Sequence, residues 1–230
     1  MRPISSLDLQ SYAGRVADYT RAHLGTSVHE VTIAGHMHLL TVAVERDLLR
    51  FGCPEELANT SCARGCSACC MINVSVLAPE AIAISWYLKR HVDPSRLESI
   101  RRRLHEVHRK TRWLDDEERL FLREPCPLLD SSGACIIHPV RPLLCRSITS
   151  SSRDLCQEAI SMAPLQGVPV VPMNVFQKSL YEMVYQGLAH GLAESGLDDR
   201  PWRLATALDA LLRDQTLVCQ YVGGGQVVAH

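Results

Sequence analysis

The chain has 230 residues, 47% of them apolar and 21% charged, with a formal net charge of −1. That length and apolar content can bury a sizeable core without staples, and the balanced charge gives no global attraction to nucleic acid or to an anionic membrane. No stretch approaches the roughly 20 uninterrupted apolar residues of a membrane span. The N-terminal MRPISSLDLQSYAGRV has no apolar signal core, so a cytoplasmic protein is expected.

The pattern along the chain is mainly helical. SSLDLQSYAGRVADYTRAHLG offers Ser5 or Ser6 as N-cap and ends at Gly25. IAGHMHLLTVAVERDLLRFG carries Leu39, Leu40, Val42, Val44, Leu48 and Leu49 near helical spacing and stops at Gly52. SCARGCSACC, residues 61–70, breaks that pattern, and INVSV after it predicts a short strand. APEAIAISWYLKRHV reads as a helix with Pro79 in its first turn. DPSRLESIRRRLHEVHRKTRWLDDEERLFLRE predicts one long helix or two, begun at Asp93 and halted before Pro125. From Pro125 to Gln157, four cysteines alternate with Pro127, Gly133, Pro139 and Pro142, which predicts loop. NVFQKSLYEMVYQGLAHGLAESG and DRPWRLATALDALLRDQTL predict two further helices, and YVGGGQVVAH a mobile tail or a short edge strand. The expected fold class is mainly α: a helical domain with two cysteine-rich metal-binding loops and a few short strands. Its parts are a helical segment 1–60, a cysteine core 61–157 and a helical segment 158–230, together one compact domain.

The ten cysteines carry the chemistry. In a reducing compartment, clustered thiols bind metal or do redox work more often than they form bridges. Cys62-x3-Cys66-x2-Cys69-Cys70 forms one group, and Cys126, Cys135, Cys145 and Cys156 form a second far downstream. Thiolates are soft ligands that select zinc, copper(I) or iron–sulfur clusters. One short loop wraps a tetrahedral ion or a cluster corner, and the remaining ligands come from the distant loop. These eight cysteines are the candidate metal ligands, enough for two four-ligand sites or for one with spares. Adjacent Cys69 and Cys70 are expected to point apart rather than to serve the same ion. A Zn(Cys)4 site or an oxidised 4Fe–4S cluster on four thiolates carries a charge of about −2. Arg64, Arg141 and Arg146 stand within or beside the cysteine segments to offset it, Arg141 and Arg146 being the candidate cofactor contacts.

Read together, CARGCSACC, EAIAI and PCPLLDSSGACIIHPVRPLLCR resemble the YkgJ-type cysteine-cluster family, described as zinc- or iron-chelating. The residues that carry the resemblance are Cys62, Cys66, Cys69 and Cys70; Glu80; Cys126, Pro127 and Leu128; Gly133 and Cys135; and Arg141, Pro142, Cys145 and Arg146. His138 stands where that family usually has tyrosine. The better-understood relatives resemble flagellin lysine N-methylases, which carry an iron–sulfur cluster. The resemblance therefore implies a metal centre, with a 4Fe–4S cluster expected and zinc or mononuclear or multinuclear iron as alternatives. CARGCSAC also has the C-x3-C-x2-C spacing of radical-SAM enzymes, but Ala68 replaces the aromatic residue before the third cysteine and the βα repeats of that fold are missing.

The function expected is an iron–sulfur or iron enzyme in a modification or biosynthetic reaction on a small-molecule or peptide substrate. The alternatives are a zinc module whose metal only holds the fold and, more weakly, a nucleic-acid binder using the helix Arg101–Arg112. That basic run is offset by DDEER, which favours a solvated face over a phosphate track. His36 and His38 do not share a helix face and are expected to pack or to be exposed, as are His105 and His108 at the surface. His138 is an added candidate ligand. Cys53 and Cys219 are expected to be packed as small apolar side chains, and SITSSSRD to cap a helix.

Overall fold

The computed structural model describes residues 7–25, 29–162, 169–222 and 224. Among them are eleven α-helices and one two-stranded sheet. Helix α1 (Leu9–Tyr19) starts at Asp8, whose carboxylate accepts the N–H of Gln10 and Ser11, and continues as a π-turn over Thr20–Leu24. The cap thus lies downstream of the serines expected to supply it, which fall outside the described residues. α2 (Glu30–Phe51) ends at Gly52 as its sequence predicts, and α3 (Pro54–Ala58) follows. α4 (Ala78–His91) has Pro79 in its first turn, where a missing N–H costs nothing.

The long charged segment is two helices. α5 (Pro94–Thr111) is capped by Asp93, and α6 (Asp116–Leu122) opens with a reciprocal Asp115–Glu118 capping box. The region expected to be loop also contains helix: α7 (Leu143–Ser147) and α8 (Arg153–Met162). Ser152 Oγ accepts the Leu155 N–H at the start of α8, so SITSSSRD does act as a cap. α9 (Val175–Glu194) is capped by Asn174, α10 spans Leu204–Arg213, and α11 (Thr216–Val222) takes the first residues of the expected tail. Most of the remaining tail lies outside the described residues.

Strand β1 is only Ser75–Val76, antiparallel to β2 (Trp202–Arg203). This short ladder, with Leu204 N–H donating to the Val74 carbonyl, ties the exit of the first cysteine loop to the head of α10. The predicted five-residue strand shrinks because β2, its one partner, is equally short.

The core forms between helices. α1 packs on α9, α2 on α4, α10 on α4 and α5, and α7 on α9. The α1–α9 approach needs bare backbone: a Cβ on Gly187 would lie 2.4 Å from the Ala13 carbonyl oxygen, and one on Gly191 2.5 Å from Thr20 Cβ. α4 is the central element, buried continuously from Ala78 to Ser85, as expected of a helix apolar around its circumference. One buried cluster draws Val16 and Val44 from the first sequence segment, Leu77, Leu128 and Leu143 from the cysteine region, and Leu188 and Leu208 from the last. Each such aliphatic side chain contributes about 1.5–3 kcal/mol by leaving water. Among the described residues no helix is long and apolar enough to cross a membrane.

Candidate metal centre

The first cysteine loop is a series of tight turns. Cys66 N–H donates to the Ala63 carbonyl, with Gly65 at φ +85° between them, and Ala68–Met71 form a 3-10 turn closed by Cys70 N–H on Ser67. The second loop is shaped by Asp130. Its carboxylate accepts the Ser132 N–H, the Ser132 hydroxyl and the Ala134 N–H, while Gly133 at φ +77° reverses the chain. The reversal pairs Leu129 with Cys135, and Ile136 N–H reaches back to the Leu128 carbonyl. A 3-10 turn at His138–Val140 then leads into α7, which carries Cys145.

The two loops are joined through backbone. Cys126 N–H donates to the Cys70 carbonyl at 2.8 Å. A Cβ placed on Gly133 would lie 3.3 Å from the Gly65 oxygen. α8, which carries Cys156, packs on the 68–71 turn.

All ten cysteines are unpaired thiols. Five share one electrostatic neighbourhood: Cys69, Cys70, Cys126, Cys135 and Cys145 act on one another. The Cys70 thiol, hydrogen-bonded to Cys69, holds Cys69 down at about 7, and burial and the Arg141 charge act on it in opposite directions. Cys70 is pushed up by the same bond, then by burial and by the charges of Cys69, Cys126 and Cys145. Burial raises Cys126 to about 11 and raises Cys135, and it drives Cys145 well above the ordinary thiol range, where Cys126, Cys135 and Cys69 add to it. Beside the expectation that Cys69 and Cys70 point apart stands the effect of the two thiols on each other's ionisation across the 3-10 turn.

The remaining candidates flank this group. Cys62 is exposed, its sulfur 3.4 Å from the Ser150 N–H in the loop before α8. Cys66 is half-buried in the Gly65 turn, and Cys156 is half-buried on α8. Among the described residues, no three His, Cys, Asp or Glu side chains stand in the arrangement of a closed metal site. Buried thiols that must shed protons against their neighbours' charge fit a multivalent cation, which displaces those protons and offsets the repulsion.

Two charged residues brace the second loop. Glu80 is fully buried, accepting the Leu77 N–H of its own helix at 2.9 Å and the Leu143 N–H of α7 at 2.8 Å. One carboxylate thus caps the N-termini of two helices, a placement the helix dipole favours. Burial still raises its pKa to about 7, against the pull of those two bonds and of Arg146. Arg146 is also buried, and it donates to the Arg141 and Pro139 carbonyls and to Glu45 on α2. Those bonds make it a clamp on residues 139–141, and its charge reaches Cys135 from there. Arg141 lies closer to the thiols, lowering the pKa of Cys69, Cys135 and Cys145. Arg64 is exposed and acts on Asp130.

Glu80 belongs to the motif that was legible in sequence, but its second helix partner was not, because Leu143 carries no polar side chain to announce it. The Asp130 turn had a signal in DSSG. Other expectations need correction. His108 is buried rather than exposed, bonded to Thr206 across the α5–α10 contact, because α10 covers that face of α5. Cys219 is exposed rather than packed, and Cys53 is half-buried with its thiol on the Glu55 carboxylate. On α5, Arg103 turns inward to the Leu129 carbonyl, so the basic helix partly serves the second loop. His138 is an exposed side chain, and His36 packs with Tyr19 and His23.

No curated protein and no solved structure matches the chain. Residues 61–163 match the model of the CxxCxxCC family, described as "Putative zinc- or iron-chelating domain". That span takes in both cysteine loops, Glu80, Arg141, Arg146 and the thiol group they enclose. The cysteine region, residues 61–163, is thus similar to the CxxCxxCC family, whose description is one of zinc or iron chelation.

Proposed function

We propose that the cysteine region holds an iron–sulfur centre, of the 4Fe–4S type, and that the chain is an enzyme using it in a modification or biosynthetic reaction on a small-molecule or peptide substrate. The observation that carries this reading is the number of sulfurs in one place. Five thiols near enough to shift one another's ionisation, with three more in the same cysteine region, exceed the four a single structural zinc takes. Cys69, Cys70, Cys126, Cys135 and Cys145 would hold the group, with Cys62, Cys66 and Cys156 at its edge. When bound, such a cluster supplies an electron-transfer centre or an iron open to a substrate atom.

The chain's own residues do the rest. Arg141 supplies the positive charge that offsets thiolate, while Glu80 and Arg146 fix the backbone that presents Cys145. Buried Leu128 and Leu143 help exclude water from behind the thiols.

Anaerobic purification tests the proposal. A coloured protein with iron and acid-labile sulfide in cluster stoichiometry supports it, whereas a colourless protein with stoichiometric zinc overturns it in favour of a zinc-held interaction module. Salt-sensitive retention on heparin, lost on Arg101→Glu and Arg102→Glu, would instead favour nucleic acid.

A further inference from the structure

A second feature lies against the cysteine region without using any cysteine. A cavity of about 310 Å³ opens between α2, α4 and the 139–143 segment. α4 supplies Ala83, Trp86 and Tyr87, α2 supplies Met37 and Thr41, and the third wall is the segment that Arg146 clamps. His91, itself part of the lining, stacks on Tyr87 at 4.7 Å and meets Trp86 edge-on at 6.1 Å, which holds the aromatic wall in place. The size is at the lower end of small-molecule sites, and the lining has the usual composition: a mainly apolar surface with a few polar groups.

Besides His38 and His91, the lining includes one carboxylate and one guanidinium, and these decide what fits. Glu80 reaches it, but both of its oxygens accept backbone N–H bonds. Arg141 also reaches it, and among the described residues it forms no ion pair. A guanidinium without a carboxylate partner is a charge that a ligand's anionic oxygen can meet with charge-assisted hydrogen bonds. Arg141 lines the cavity and its charge also acts on Cys69, Cys135 and Cys145, so a group anchored on it lies toward the cysteine loops.

We infer that this cavity binds a small organic carboxylate, with its flat apolar body against Trp86 and Tyr87 and its carboxylate on Arg141. As a substrate site it rests on the reading of an enzyme centre given above, but the binding itself does not require metal.

The test uses the purified full-length chain with its native metal and three probes of one shape: 3-phenylpropionate, 3-phenylpropionamide and 3-phenylpropylamine, titrated by calorimetry. The carboxylate is expected to bind at least about tenfold more tightly than the amide, the difference one charge-assisted hydrogen bond supplies, and the amine least of all. Arg141→Gln should erase the preference for carboxylate over amide. Thr41→Trp, on α2 and away from the cysteine loops, should fill the cavity and abolish binding at unchanged metal content. Equal binding of all three probes, absence of carboxylate binding, or binding that survives Thr41→Trp overturns the inference. Metal analysis of the same sample separates the two proposals: carboxylate binding by a protein without iron sinks the cluster alone, and an iron–sulfur protein indifferent to the probes sinks the pocket alone.

Discussion

Gly65 and Gly133 meet backbone to backbone, each in the left-handed region, at the point where the two cysteine loops touch. A Cβ on Gly133 would press on the Gly65 oxygen at 3.3 Å, and one on Gly65 would press on the Ser132 oxygen at the same distance. Glycine is required twice over, by torsion and by space. Gly133→Ala should cost about 1 kcal/mol or more in stability and push the loops apart. The check is chelator competition at constant temperature, in which the variant should surrender metal faster than the parent. Gly65→Ala should behave alike, and the double variant should fall short of the sum because both changes act on one contact.

Glu80 gives a stability prediction and a pH prediction. Glu80→Ala leaves the Leu77 and Leu143 N–H groups buried without acceptors, and the expected loss is about 2–4 kcal/mol, measured by chemical denaturation. Its ordinary carboxyl value is 4.5, and burial lifts it to about 7 in the folded chain. Between those values the folded state keeps a proton the unfolded state has released. This group's contribution to stability therefore falls as pH rises from 4.5 to 7, by on the order of 3 kcal/mol at most. Glu80→Gln does not titrate, so the stability of the parent relative to this variant should decline across that window. A constant difference would contradict the buried carboxyl.

Arg146 and Glu45 form an uneven pair: the arginine side chain is 5% exposed and the glutamate 48%. Glu45→Gln should cost less than about 1 kcal/mol, since a half-exposed partner is screened by water. Arg146→Ala should cost about 2–4 kcal/mol, because the Pro139 and Arg141 carbonyls lose their donors. Thermal unfolding of both variants checks the asymmetry.

The cysteines sort by position. Cys145→Ser should de-metallate the protein, because Cys145 lies in the middle of the interacting thiols on the helix that Glu80 caps. Cys219→Ser should retain full metal, as its side chain is exposed on α11. Elemental analysis after gel filtration reads both, and metal loss from Cys219→Ser would contradict the assignment.

Short-range physics made much of this chain legible as text. Asp93 before Pro94, Gly52 after a helical run and Asn174 before Val175 announce helix ends because caps are local hydrogen bonds. The two cysteine groups predict a metal through ligand softness and family resemblance, a reading supported by the match of residues 61–163 to a domain described as zinc- or iron-chelating. What the sequence could not carry were relations between residues distant along the chain. That Cys126 docks on Cys70, that Glu80 caps a helix beginning at Leu143, and that Arg141 reaches the wall of a cavity all depend on how α2, α4 and α7 pack. Packing is decided by the summed burial of many apolar side chains, no one of which names its partner, so only the folded chain reveals which thiols share a neighbourhood and what lies beside them.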